Sequence, residues 1–240
     1  PTPYSLLPTP YSLPQQISHA TQHQFGTNME PKVIFLDAVG TLFGVQGSVG
    51  EIYRQIALDF GVDAPAEALN KAFFQSFKAS QSLEFPEAKA PEIFELEFQW
   101  WQAIAQETFT IVGVAEQFGN FTAFFADLYA HFATAEPWYV YPDVLPALKQ
   151  WQQKEITLGI ISNFDSRLYG VLKALDLHDF FTSITISSQA RAAKPRSEIF
   201  QAALAQHNCQ ATEVLHIGDS LKEDYYGAKA AGIRPFLLRR

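Results

Sequence analysis

Cysteine is nearly absent from this chain: Cys209 is its sole cysteine in 240 residues. One thiol makes no internal disulfide and no thiolate metal cluster, so the fold has to rest on a packed core, and a reducing, cytoplasmic setting is expected. Positive charge is also short. With 17 Lys and Arg against 25 Asp and Glu, the formal net charge is −8, which argues against nucleic acid as a partner. No apolar run approaches the roughly 18 residues that a membrane span needs, and the N-terminus lacks the basic region that opens a secretory signal. The expectation is a soluble protein with neither a nucleic-acid nor a membrane partner. What the chain does have is 48% hydrophobic and 14% aromatic residues, enough for one sizeable core or two small ones.

Asp, Glu, Lys and Arg are missing altogether from residues 1–28, where Pro-Thr-Pro-Tyr-Ser-Leu at 1–6 recurs at 8–13. A polar, proline-rich stretch of this kind buries no core and reads as a disordered extension. The sole methionine, Met29, lies just ahead of the first regular strand, and the working protein is expected to start there. Residues 32–36 form an apolar strand that stops at Asp37. From Ser48 the apolar period changes to that of a helix, with Ser48 and Glu51 spaced as a capping box and Gly61 placed as a stop. Helices are expected over 48–60, 64–80, 91–111 and 115–134, so residues 48–137 form a four-helix insert. Its many aromatics, Phe73, Phe77, Trp101, Phe124 and Tyr129 among them, suit either a bundle core or a pocket wall. After Pro142 a helix runs to about residue 154, and strands at 156–161, 183–187, 214–218 and 235–238 then alternate with helices near 166–175, 197–207 and 222–230. That alternation implies an α/β fold built on a parallel sheet, with the ligand site beyond the carboxyl ends of the strands.

Four strand ends or following loops carry polar groups. Asp37-Ala-Val-Gly-Thr41 puts a carboxylate and a hydroxyl on a tight loop, suited to a nucleophilic carboxylate or to a plain turn. Ser162-Asn163 could hold an anion or simply cap the next helix, and Asp165 reads as that helix's cap. Lys194, next to Pro195, is placed to neutralise a carboxylate and a bound anion, while Arg191 and Arg196 are expected to face solvent. Gly218-Asp219, followed by Asp224, ends a strand with two carboxylates. If these converge with Asp37 they repel one another unless a cation is present, and hard oxygen donors beside an anionic substrate suit Mg2+. Asp224 could instead serve only the dipole of its helix, and His216 reads as buried structure.

In this order the four signals resemble the motifs of the haloacid dehalogenase-like hydrolase superfamily over residues 32–240. Within it, Trp100-Trp101 and the stretch 162–165 are similar to those of haloacid dehalogenase-like hydrolase domain-containing proteins. The resemblance implies a Rossmann-like core formed by 29–47 and 138–240, with 48–137 as an all-helical type 1 cap. It implies that Asp37 is the nucleophile, that Lys194 holds it and the substrate anion, and that Thr41, Ser162 and Asn163 meet the substrate. Mg2+ would be held by Asp37, the Val39 carbonyl, Asp219 and Asp224. Val39 departs from the pattern, because phosphatases of the superfamily carry there a second Asp as general acid and base. Valine moves no proton, and losing positioned proton transfer costs about 10² to 10⁴ in rate. Haloacid dehalogenases also lack that Asp, since a halide leaves without a proton, but they need no metal and lack the Gly218-Asp219 form; they use Asn where Glu223 stands. The expectation is a Mg2+-dependent phosphohydrolase acting weakly on a small phosphorylated metabolite through an aspartyl-phosphate. A 2-haloacid dehalogenase is the alternative, and a phospho-ligand binding module without turnover is a second one. Monomer and dimer are both open.

Overall fold

The computed structural model describes residues 30–240; the expected extension over 1–28 and Met29 lie outside the described residues. Along the chain run β1 (Val33–Leu36), β2 (Phe43–Val45), four helices α1 (Val49–Asp59), α2 (Ala66–Ala79), α3 (Ile93–Val112) and α4 (Phe121–His131), then β3 (Trp138–Val140). There follow α5 (Val144–Gln153), β4 (Thr157–Ser162), α6 (Arg167–Ala174), β5 (Ser183–Ile186), the single turn α7 (Ser187–Ala190), α8 (Ser197–Leu204), β6 (Val214–Gly218), α9 (Gly227–Ala230) and β7 (Arg234–Leu237).

Strands β1, β4, β5, β6 and β7 form the parallel α/β sheet that the alternation predicts, in the order β5-β4-β1-β6-β7. β1 is an unbroken apolar run because it is covered on both faces. Successive side chains point oppositely, so Ile34 and Leu36 pack with Leu148, Trp151 and Leu168 on one side, while Val33 and Phe35 pack with Ile199 and Phe200 on the other. Leu36 sits level with Ile160 of β4 and Ile217 of β6. The carboxyl ends of the three central strands therefore finish together, and whatever follows them converges.

Helices α1–α4 bury an apolar cluster of their own, with Ile52, Leu69, Ile104, Phe109 and Phe124 at its centre. Ser48 caps α1 by accepting from the Glu51 backbone at 3.2 Å, and α3 stops at Gly113 in the left-handed region, φ +83°. The helix expected over 115–134 is divided. A 3-10 turn at Ala115–Gln117 precedes α4, because the Asn120 side chain accepts from the Ala123 backbone and starts a new helix. The segments flanking the four helices are β2 and β3, paired antiparallel with Phe43 opposite Val140. The helix expected over 222–230 opens instead with a π-helical turn, Leu221–Tyr226, ahead of α9.

Candidate active site

Asp37 leaves β1 with its backbone N–H donating to Ile217 at 2.9 Å, which fixes the residue between β4 and β6. Its Oδ1 accepts from Lys194 Nζ at 2.7 Å and from Ser162 Oγ at 3.2 Å. The loop then folds tightly: Leu42 N–H donates to the Ala38 carbonyl at 2.7 Å, and Gly40 N–H to that of Phe43 at 2.8 Å. Gly40 has φ +89°, and a Cβ there would stand 2.5 Å from Asp219 Oδ2, so glycine is required on both counts. Buried Thr41 donates to Asp219 Oδ1 at 3.4 Å. Each sequence-predicted group thus lies within one or two bonds of another.

Lys194 is buried and also donates to Asp224 Oδ1 at 2.6 Å. Asn163 sets where that lysine sits, since its side-chain amide donates to the Lys194 carbonyl at 2.9 Å and accepts from the Lys194 N–H at 2.7 Å. Asp224 is held in turn by His216 Nε2 on Oδ1 at 2.9 Å and by the Ser220 N–H on Oδ2 at 3.0 Å. The π-helical turn directs Asp224 back toward its own N-terminal end, and Gly218 makes room, because a Cβ there would come within 2.1 Å of the Asp224 Cγ. His216 is the buried structural residue expected. Arg191 and Arg196 are exposed, Arg196 pairing with Glu84 and Glu198.

Carboxylate oxygens of Asp37, Asp219 and Asp224 lie within 4.8 Å of one another. Burial, reinforced by Asp224 and Asp219 and offset by Lys194, pushes Asp37 up to about 6. Partial shielding and the Asp224 charge raise Asp219 as well. Burial works against the Lys194 charge, yet Asp37 and Asp224 outweigh it and raise the lysine. Asp224 is likewise pulled below the usual carboxylate range, against its burial, by Lys194 and His216. Three carboxylates set against one ammonium leave an excess of negative charge that a hard divalent cation would offset. The donor set therefore fits Mg2+. Asp37 and Asp219 have oxygens to give, whereas both oxygens of Asp224 already accept from protein donors, which suits it to holding Lys194.

Above these groups opens a cavity of about 470 Å³, lined at its floor by Asp37, Val39, Ser162, Lys194, Asp219 and Asp224. Its walls carry Tyr53, Phe73, Phe77, Trp101, Leu128 and Tyr129 from α1–α4. The insert's aromatics thus do both things weighed from sequence: Phe124 lies wholly in the helical core, and Phe77 and Trp101 face the cavity.

A second polar cluster escaped the sequence reading. Asp165 accepts from the Arg167 N–H at 2.9 Å, close to the capping expected of it. It also accepts from Trp101 Nε1 at 2.6 Å and from the Arg167 guanidinium at 2.6 Å, and that guanidinium lies 3.8 Å over the Tyr129 ring. Buried Glu97 accepts from the N–H and Oγ of Ser166 at 3.1 and 2.9 Å. Glu97 and Trp101 stand four residues apart, on one face of α3; that spacing was the available signal, but nothing local says what the face meets.

A family profile described as haloacid dehalogenase-like hydrolase matches residues 31–232. Haloacid dehalogenase-like hydrolase domain-containing protein 3 of Danio rerio is 32% identical over 207 residues, which is 86% of this chain and 84% of that protein. Among solved structures, a HAD phosphatase from Thermococcus onnurineus aligns with a TM-score of 0.58 at 20% identity, covering 87% of this chain and 86% of the other. L-2-haloacid dehalogenase from Xanthobacter autotrophicus, with chloropropionic acid covalently bound, aligns with a TM-score of 0.60 at 18% identity, covering 88% and 78%. At these identities the two solved structures establish a shared fold.

Proposed function

The chain belongs to the haloacid dehalogenase-like hydrolase family, and from that premise we propose that it is a Mg2+-dependent phosphohydrolase of small phosphorylated metabolites. The observation that carries the reading is Asp37 itself. Lys194 and Ser162 both donate to its Oδ1, which leaves Oδ2 for attack on phosphorus. As the Oδ2–P bond forms, the bond from phosphorus to the ester oxygen breaks, and that oxygen leaves with the electron pair. Water then attacks phosphorus, the aspartyl P–O bond breaks, and inorganic phosphate and the Asp37 carboxylate are released. Lys194, Ser162 and Thr41 meet the phosphoryl oxygens, Asn163 positions Lys194, and Asp224 steadies the lysine from behind. Asp37, Asp219 and the Val39 carbonyl would hold Mg2+, which would offset the charge of nucleophile and phosphoryl group. Residues 48–137 act as a cap over the core of 29–47 and 138–240, excluding bulk water, with the β2–β3 ribbon as its hinge. A reducing cytoplasm suits a chain with a single cysteine.

Val39 favours a second reading. Its hydrocarbon lines the cavity with Asp37, and a 2-haloacid dehalogenase needs no proton there. One experiment separates the two: phosphate release from an activated ester in Mg2+ and in EDTA, beside Asp37→Asn and a halide-release assay. Metal-dependent phosphate release that disappears in Asp37→Asn supports the phosphohydrolase. Halide release indifferent to EDTA supports the dehalogenase, and neither product from the wild type would overturn both.

A further inference from the structure

The walls and floor of the cavity ask different things of a ligand. The carboxylates and the amine of the candidate site, Asp37, Asp219, Asp224 and Lys194, lie at the floor. The one cation in the wall, Arg167, is committed to Asp165 through two nitrogens, Nε at 2.9 Å and Nη2 at 2.6 Å. A second phosphate or carboxylate on the ligand would therefore meet no available cation among the described wall residues. Of the wall's polar groups, the indole N–H groups of Trp101 and Trp138 already donate to Asp165 and to the Phe132 carbonyl, and the Tyr53 and Tyr129 hydroxyls remain, set among aromatic rings. What the wall does offer is flat apolar surface. The Phe77 ring lies near parallel to those of Phe73 and Trp101, at 22° and 23° with centroid separations of 5.8 Å. Beside these stacked partners Phe77 is left 43% exposed, and the ring surface that lines the cavity can take another aromatic ring by offset or edge-on stacking.

The floor sets a separate condition. Val39, two residues after Asp37 and in the same cavity lining, has a side chain with no proton to give a departing oxygen. Thr41 donates its hydroxyl to Asp219, Lys194 is shared between two carboxylates, and Glu223, also in the lining, accepts from the Ser220 hydroxyl. The departing oxygen must then leave as an anion that is stable without a proton. A phenol, with a pKa of about 10, meets that condition far better than an alkyl alcohol, whose pKa lies nearer that of bulk water, about 16.

We infer that the substrates of this site are phosphate monoesters of aromatic alcohols, with the ring held by Phe73, Phe77 and Trp101 and the phosphate at Asp37 and Lys194. The inference rests on the phosphohydrolase reading and narrows its substrate class. In the step it describes, Asp37 Oδ2 bonds to phosphorus, the bond from phosphorus to the aryl oxygen breaks, and the electron pair departs on the phenolate, which takes its proton from solvent afterwards.

The test has a binding arm and a turnover arm. In the first, phenylphosphonate and methylphosphonate, neither of which can be hydrolysed, are titrated against the Mg2+-loaded protein by calorimetry. The phenyl compound is expected to bind at least tenfold more tightly. Phe77 is 43% exposed, so Phe77→Ala should fold, and it should remove most of that preference. In the second arm, kcat/KM is measured for a series of substituted phenyl phosphates and for propyl phosphate. It should fall steeply as the leaving phenol becomes less acidic and be lowest for propyl phosphate, and Val39→Asp should flatten the slope. Equal affinity for the two phosphonates, or propyl phosphate cleaved as fast as phenyl phosphate, would overturn the substrate class and leave the phosphohydrolase reading standing. If neither phosphonate binds and a 2-haloacid is dehalogenated instead, the phosphohydrolase reading falls and takes the substrate class with it.

Discussion

Gly218 shows how little of the site's precision is chemical and how much is room. A methyl group at that position would come within 2.1 Å of the Asp224 Cγ, so Gly218→Ala has to push away the carboxylate that holds Lys194. Overpacking of this kind costs about 1–3 kcal/mol, and the displaced Asp224 should lower kcat as well. Gly119→Ala is the control, since nothing lies within 4 Å of a Cβ there; its unfolding midpoint should stay at the wild-type value. Urea unfolding of both variants, with phosphate release alongside, checks the pair, and equal midpoints for the two would sink the close-approach argument. Asp37, Ser162 and Asp219 were legible as polar groups at strand ends, because a parallel sheet aligns those ends whatever surrounds them, and Lys194 as a cation in the segment that follows β5. The clamp of Asn163 on Lys194 was not legible, since it joins backbone and side-chain atoms 31 residues apart and leaves no local pattern.

At the scale of the element, α3 ties the four-helix insert to the sheet. Burial, together with the nearby Asp165 charge, raises the Glu97 carboxyl above its ordinary 4.5. The folded protein therefore holds that proton more tightly than the unfolded chain does. The stability this provides is complete below about pH 4.5 and is lost as pH rises through the raised value. Glu97→Gln has no proton to lose, and its amide oxygen can keep both bonds from Ser166. The variant should match the wild type near pH 4 and exceed its melting temperature at pH 7, and parallel melting curves across that range would contradict the assignment. The period of α3 was plain in the sequence, but its docking was not, because the bonds from Trp101 to Asp165 and from Ser166 to Glu97 span 64 and 69 residues. The β2–β3 ribbon escaped for a related reason. Each strand has three residues, too short to show alternation, and each becomes a strand only through its partner.

At the scale of the molecule, folding itself creates the charge problem. Asp37, Asp219 and Asp224 are brought within 4.8 Å of one another by two strands from opposite ends of the chain, and unfolding separates Asp37 from the other two. Mg2+ should therefore favour the folded state and raise the melting temperature. At a hundredfold excess over Kd the stabilisation is about 2.7 kcal/mol, or roughly 5–10 °C for a chain of this size; NaCl at matched ionic strength should give far less. Asp219→Asn separates this account from general salt effects by a change of sign. In EDTA the variant removes a carboxylate already raised by its surroundings and by Asp224, while the amide oxygen can still accept from Thr41. It should therefore melt slightly above the wild type. In Mg2+ it lacks an anionic ligand, should gain little, and should melt below the wild type. A variant that melts lower under both conditions would mean that Asp219 supports the fold itself, and the acidic cluster would lose its standing as a cation site.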